Sequence, residues 1–301
     1  MSSVIRIASR RSALAMNQTR WVIDQLQTMR PDITYEIVPV VTTGDKMLNV
    51  SLTEIGGKGL FVTEIENLLL QDEVDFAVHS LKDVPAQVAN GLELAVFPKR
   101  EDARDVLVSQ GNKDLTHLPL GAVIGTSSVR RIVQLSRNRP DLQFTPIRGN
   151  VDTRLGKVAA GEVDAVVLAA AGLRRMGLAD RISEYLPIHV CLPAVGQGAL
   201  AIEIRSSNED LKKLLAPLND DMTANSTLAE RVLLTSLNGS CQVPLAGHCV
   251  RHGSEWSLHG LVASLDGHQL LFAEARGTDP HQLGLQVAQT LKDQGALSLL
   301  T

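Results

Sequence analysis

The stretch Asp75-Phe76-Ala77-Val78-His79-Ser80-Leu81-Lys82-Asp83-Val84-Pro85 decides how the rest of the chain is read. Its apolar part has the length of a buried strand, and Pro85, just past a charged pair, stops regular structure. In open α/β sheets ligands sit outside the carboxyl ends of the strands. Lys82 and Asp83 are therefore expected at a cleft, although a solvated surface turn would use the same two residues.

Upstream, Val4 to Ala8 reads as a strand, followed by Ser9-Arg10-Arg11-Ser12. From Ala13 to Met29 the apolar positions Leu14, Trp21, Val22, Leu26 and Met29 fall at helical spacing, with Pro31 beyond the end. Polar side chains thus stand where a strand gives way to a helix N-terminus, a ready anion site. Tyr35 to Val41 is a second strand, closed by Thr42-Thr43-Gly44-Asp45; a Gly-rich insert ending Gly56-Gly57-Lys58-Gly59, expected to be mobile, precedes a helix over Leu60 to Gln71.

Downstream the same order of elements returns. Ala122 to Gly125 leads into Thr126-Ser127-Ser128-Val129-Arg130-Arg131 and a helix that ends before Pro140. Leu142 to Ile147 is again a strand, closed by Arg148-Gly149-Asn150, and a helix around Thr153 to Ala160 leads to the run Glu162 to Leu168. Two similar βα units facing each other form an anion-binding clamp. Cys191 to Gly198 reads as a hinge, because the strand Ala199 to Ile204 has no partner left in the second copy. The fold class expected is α/β, with two similar domains around a cleft, residues 1–98 with 199–216 and residues 104–192. A small α+β domain, residues 221–301, follows: a helix Thr223 to Leu237 capped by Asn238-Gly239, three short strands with a hairpin at Asp266-Gly267, and a helix from Pro280 to Leu291.

Length and composition agree. A chain of 301 residues exceeds one small core, and 44% hydrophobic with 21% charged residues is ordinary for a globular protein. Net charge −4, pI near 6.1 and 3% aromatics argue against nucleic acid as a partner. No run has the apolar core of a signal peptide or the length of a membrane span, so a cytoplasmic protein with no membrane partner is expected. Three cysteines, Cys191, Cys241 and Cys249, with no C-x-x-C, suit a reducing compartment. His248 and His252 stand four apart without helical context or a third ligand, so no metal is expected.

Two motifs fail on context. Gly196-Gln197-Gly198-Ala199-Leu200-Ala201 fits a dinucleotide fingerprint nominally but leads into a strand, and Gly57-Lys58 is no phosphate loop because Gly59 stands where Ser or Thr must be. What remains is a set of arginines at strand ends and helix starts: Arg10, Arg11, Arg130, Arg131, Arg148, Arg154, Arg174 and Arg175. Guanidinium groups grip carboxylates bidentately and stay charged, so a ligand with several carboxylates, or phosphates, is expected. Cys241 sits in Gly239-Ser240-Cys241-Gln242-Val243-Pro244, flanked like an exposed turn. A helix C-terminus before it disfavours a thiolate, so activation would have to come from cations.

These motifs, with Arg6-Ile7-Ala8-Ser9-Arg10, Gly56 to Phe61, His79 to Pro85, Arg148 to Arg154 and Leu192 to Gly198, span the chain, and together the sequence resembles the porphobilinogen deaminase (hydroxymethylbilane synthase) family. Ser240 departs from the pattern, which usually has a second Gly there. The resemblance implies two domains like those of periplasmic binding proteins plus the C-terminal domain. It implies a transferase of tetrapyrrole (heme) biosynthesis that joins four porphobilinogens head to tail, with release of ammonia, into hydroxymethylbilane. It also implies a dipyrromethane cofactor in thioether linkage to Cys241, held by Ser80, Lys82, Thr126, Ser128, Arg130 and Arg131. Asp83 would be the catalytic carboxylate; Arg10, Ser12, Gln18, Lys58, Arg148, Arg154 and Arg175 would bind substrate or the growing chain. Each pyrrole carries an acetate and a propionate, which gives the arginines a purpose. Porphobilinogen is then the small-molecule partner and the protein a monomer. Two other classes stay in view: a non-catalytic anion-binding protein of the periplasmic-binding-protein type, and a cysteine hydrolase, which would need a His directed at Cys241.

Overall fold

The computed structural model describes residues 4–46, 59–239, 244–264 and 266–300. In chain order the elements are β1 (Val4–Arg10), α1 (Ala13–Met29), β2 (Thr34–Val40), α2 (Thr43–Lys46), α3 (Thr63–Leu70), β3 (Phe76–Ser80) and β4 (Leu92–Val96). Then come β5 (Asp105–Ser109), β6 (Val123–Gly125), α4 (Val129–Asn138), β7 (Gln143–Thr145), α5 (Val151–Ala159), β8 (Ala165–Ala169), α6 (Ala170–Arg175) and β9 (Glu184–Tyr185). The chain ends with β10 (Leu200–Arg205), α7 (Glu209–Leu215), α8 (Asp221–Ser236), β11 (Leu245–His252), β12 (Glu255–Ala263), β13 (Leu270–Gly277), α9 (Pro280–Asp293) and α10 (Ala296–Leu299). The Gly-rich insert expected between Leu48 and Lys58 lies outside the described residues except at its end, Gly59.

The chain divides into two compact units, Met1–Arg100 with Ala199–Ala224, and Glu101–Gly198 with Asn225–Thr301. In the first, one sheet has the order β2-β1-β3-β10-β4. β1 runs parallel to β2 and β3, and β10 runs antiparallel to β3 and β4. The period of two splits its side chains cleanly. Ile5, Ile7, Phe76, Val78 and Ile202 meet Val22 and Leu26 of α1 on one face. Ala8 and Ala77 meet Ile65 and Leu69 of α3 on the other. Strands buried on both faces read as near-continuous apolar runs, which is why β3 is legible in the sequence.

The second unit repeats this sheet as β7-β6-β8-β5-β9, with β6 parallel to β7 and β8, and β5 antiparallel to β8 and β9. The duplicated order expected from the sequence is thus real down to the antiparallel strand. Sequence reasoning left β5 unplaced, although its five residues are all buried. Strand β10 returns to the first sheet, as expected from its lack of a partner in the second copy. The rest of this unit holds most of α8, the antiparallel sheet β11-β12-β13, α9 with Leu283, Val287 and Leu291 buried, and α10. On this sheet Ala246, Leu261 and Ala263 pack against Val133 of α4 and Leu192. Gly267 takes the left-handed conformation (φ 79°) in the β12–β13 turn, and at the end of α8 it is Asn238 (φ 51°), not Gly239, that does so. The α/β class with two like sheets and a small three-stranded C-terminal sheet therefore holds. Among the described residues no helix is long and apolar enough to cross a membrane.

Candidate active site

In the first unit, the carboxyl ends of β1, β2 and β3 carry Arg10, the Thr42–Asp45 turn and the Ser80–Asp83 segment. Leu81 to Asp83 form a 3-10 turn, closed by the Val84 N–H donating to the Leu81 carbonyl at 3.1 Å. Leu81 and Val84 are buried, 1% and 2% exposed, so the turn is anchored at both ends and leaves Lys82 and Asp83 half-buried between them. Asp83 keeps 36% of its side chain exposed, with Arg10 Nη1 3.8 Å from its Oδ2.

Arg10 has two further partners. Its Nε and Nη2 reach both oxygens of Asp45, at 3.4 and 2.5 Å, and its guanidinium lies 4.2 Å over the Phe61 ring. Burial raises the Asp45 carboxyl, but the Arg10 hydrogen bond and charge outweigh it and hold the group below the usual carboxylate range. Phe61 fits there because residue 44 is glycine: a Cβ on Gly44 would sit inside contact distance of three Phe61 ring atoms. Gly44→Ala is therefore expected to push Phe61 off Arg10 and to destabilise the first unit by about 1–3 kcal/mol, as overpacking does. Denaturant unfolding checks this, and an unchanged midpoint would show that the ring yields at no cost.

Gln18, 3% exposed, donates to Ser80 Oγ at 2.9 Å, which ties α1 to the end of β3. Ser12 caps α1 by accepting from the Ala15 N–H at 3.2 Å. Below the turn, His79 Nε2 meets Glu203 Oε2 of β10 at 2.9 Å, with side chains 4% and 1% exposed.

In the second unit the carboxyl ends of β6, β7 and β8 carry the corresponding residues. Thr126 Oγ1 accepts from the Ser128 N–H at 3.2 Å, Ser127 Oγ donates to the Ile147 carbonyl at 2.8 Å, and α4 begins at Val129 with no acidic residue in its first turn. Arg130 and Arg131, 6% and 7% exposed, turn inward to Asp105 at the start of β5, which is fully buried. Arg130 Nη1 donates to Asp105 Oδ2 at 2.7 Å and to the Leu192 carbonyl at 2.6 Å. Arg131 reaches Asp105 Oδ1 through Nε and Nη2, at 3.0 and 2.7 Å, and the Val167 carbonyl through Nη1 at 2.7 Å. Gln197 Nε2 donates to Asp105 Oδ1 at 3.1 Å and the Cys191 thiol to Oδ2 at 3.3 Å. Burial alone would raise the Asp105 carboxyl; the two guanidiniums outweigh it and hold it far below the usual range. Burial, with the Asp105 charge beside it, pushes the Cys191 thiol up to about 12, so that thiol is inert.

Arg148 follows β7, and Arg154 Nε on α5 donates to the Gly149 carbonyl at 2.9 Å; Asn150 caps that helix through the Thr153 N–H. Arg175 at the end of α6 donates to the Gly198 carbonyl at 2.8 Å, and burial pulls its guanidinium down to about 10, still charged at neutral pH. The structure thus gathers Arg10, Ser12, Gln18, Ser80, Lys82 and Asp83 at one sheet end of the first unit. It gathers Thr126, Ser128, Arg130, Arg131, Arg148, Arg154 and Arg175 at one sheet end of the second. Cys241 and Lys58 lie outside the described residues. Sequence reasoning missed Asp105 and Asp45, the carboxylates these arginines hold. The available signal was an acid at the edge of an apolar run in one case and in a strand-closing turn in the other.

Comparison with known proteins bears on what this arrangement does. A family model described as "Porphobilinogen deaminase, dipyromethane cofactor binding domain" matches residues 5–213, and one described as "Porphobilinogen deaminase, C-terminal domain" matches residues 224–293. A porphobilinogen deaminase of Geobacillus kaustophilus is 51% identical over 297 residues, covering 98% of this chain and 96% of the relative. One of Bacillus subtilis is 49% identical over 302 residues, covering 100% and 96%. Among solved structures, the periplasmic VFT2 domain of Bordetella pertussis BvgS covers 74% of this chain and 91% of its own at 20% identity, with a TM-score of 0.42.

Proposed function

The chain belongs to the porphobilinogen deaminase family, and from that premise we propose which of its residues perform the family's reaction. The activity is that of a transferase of tetrapyrrole biosynthesis: four porphobilinogens condense head to tail, each releasing ammonia, to give hydroxymethylbilane on a dipyrromethane cofactor. The observation that carries our residue assignment is Asp83, held half-buried at the end of β3 by a turn anchored on either side.

Loss of ammonia leaves a pyrrole-stabilised cation on the substrate. An ionised carboxylate fixed beside that charge stabilises it as it develops and can take up the ring proton afterwards. We assign both tasks to Asp83. Ser80 is oriented for its part by Gln18, with which it shares a hydrogen bond. Arg10, Ser12, Gln18, Lys58, Arg148, Arg154 and Arg175 are assigned to carboxylates of the substrate or of the growing chain. Because Ser12 also caps α1, its hydroxyl serves helix and ligand together.

A dipyrromethane presents ring N–H groups and several carboxylates. The donor chemistry here suits it: Ser128 precedes α4 without spending its hydroxyl on a cap, and the first turn of that helix carries no acid. Ser80, Lys82, Thr126, Ser128, Arg130 and Arg131 would hold the group and Cys241, in a C-terminal domain of residues 221–301, would bind it covalently. When bound, it supplies the primer ring that accepts the first substrate unit. Arg130 and Arg131 act by their charge and their remaining N–H groups, since Asp105 already takes part of each. We place the protein in the cytoplasm as a monomer, the first supported by buried free thiols at Cys191 and Cys249.

Intact mass spectrometry of the purified protein beside Cys241→Ser tests the assignment. We expect the parent to carry an excess mass of two condensed pyrrole units, before or after incubation with porphobilinogen, and the variant to carry none. Equal, unmodified masses after incubation would overturn the covalent role of Cys241.

A further inference from the structure

The carboxylate that holds Arg10 has no assigned role, yet its geometry is specific. A guanidinium offers two edges to a carboxylate, the side edge of Nε with one Nη and the end edge of both Nη groups. Asp45 occupies the side edge of Arg10 with both of its oxygens. Asp45 is itself fixed: Thr42, fully buried, donates to its Oδ2 from Oγ1 at 2.8 Å and from the backbone N–H at 3.3 Å. The turn that carries both is tied to α3, since the Thr43 N–H and Oγ1 donate to Glu64 Oε1 at 2.8 and 2.6 Å. Phe61 covers the guanidinium face. The end edge is left pointing toward Asp83, at 3.8 Å rather than at hydrogen-bond distance.

Charge gives this spacing a consequence. Asp45, Arg10 and Asp83 together carry one net negative charge, so Asp83 keeps its value against a cation developing on the substrate. Without the Asp45 charge, Arg10 would be free to close on Asp83 and neutralise it. The end edge of Arg10 would be spent in the same movement and lost to a ligand carboxylate. We infer that Asp45 is a positioning residue that holds Arg10 by its side edge, keeping Asp83 only partly compensated and the end edge of Arg10 open for a substrate carboxylate. The inference rests on the assignment of Asp83 and Arg10 above.

The test compares Asp45→Asn, Asp45→Glu, Arg10→Leu and the Asp45→Asn/Arg10→Leu double variant, using porphobilinogen as substrate. Asp45→Asn is expected to lower kcat about tenfold or more and to raise KM, while Asp45→Glu, which restores the charge, recovers most of both. In the Arg10→Leu background, adding Asp45→Asn should change kcat less than about twofold, because Asp45 acts through Arg10. A crystal structure of the Asp45→Asn protein supplies a readout apart from turnover: Arg10 Nη1 should have closed on Asp83 to about 2.8 Å. Kinetics of Asp45→Asn within twofold of the parent, additive effects in the double variant, or an unchanged Arg10–Asp83 separation overturn the proposal. If Asp45→Asn does not fold, Asp45→Glu and Arg10→Leu still decide it: a Glu variant as inactive as Arg10→Leu overturns it. A parent that never consumes porphobilinogen defeats the functional assignment instead, which keeps the two failures apart.

Discussion

Asp83→Asn should yield a folded protein that still acquires its cofactor and turns over porphobilinogen about 10² times more slowly or worse, the scale of losing one preorganised charge at a reacting centre. The substitution keeps shape and removes only the negative charge. Little stability is at stake, because the side chain is 36% exposed and its ion-pair partner stands 3.8 Å away. The turn that presents it is held by Leu81 and Val84, which the substitution does not touch. Ammonia release by the cofactor-carrying variant, with its mass confirmed, is the measurement. Turnover near that of the parent would remove Asp83 from the catalytic role, whereas loss of the cofactor mass would move its role to loading.

Asp105→Ala should be the most destabilising single change at the site. It strips the common carboxylate from the buried Arg130 and Arg131; the Cys191 thiol loses its acceptor as well, and Gln197 one of its acceptors. Breaking a buried ion pair by removing one member costs about 3–5 kcal/mol. Replacing the whole cluster by apolar residues would cost far less, because the penalty is the uncompensated charge. Denaturant unfolding of the cofactor-free protein measures it. The pH dependence has a definite sign: the folded-state carboxyl lies below its ordinary value of 3.8, so its contribution is complete above that value. It is lost progressively as pH falls from that value to the depressed folded-state one. The gap between parent and variant should therefore be steady from neutrality down to that ordinary value and narrow beneath it. A variant as stable as the parent would mean that the two guanidiniums find other partners.

These two residues differ in how far the sequence exposes them. Asp83 is legible because local signals converge on it: an apolar strand, a charged pair and a proline. Helix α1 is legible for the same reason, with its bounds at Ala13 and Met29 as the spacing predicts. Asp105 is hidden. Its partners stand 25 and 26 residues away, and the acid opens a run of buried residues that carries no turn or cap signal. Residue type led to the expectation that arginines would meet carboxylates; type alone does not say that Asp45 and Asp105 are the carboxylates met first. Strands β6 and β7 are three residues each, shorter than their apolar runs suggest, because the polar segments after them leave the ladder early to form turns such as the Ser127 bond to the Ile147 carbonyl.

The strand exchange described above also sets the order in which a nascent chain can finish its sheets. The strands of the second sheet, from Asp105 to Tyr185, are contiguous in sequence and can pair as soon as they leave the ribosome. The N-terminal sheet is synthesised first yet completed after the second, since β10, which lies between β3 and β4, arrives only with Leu200–Arg205. Until then β3 presents an unpaired edge, the kind of surface on which partly made chains associate wrongly. Such high-contact-order closure is slow, so the half of the protein that carries Asp83 is the half that most needs the rest of the chain to be present.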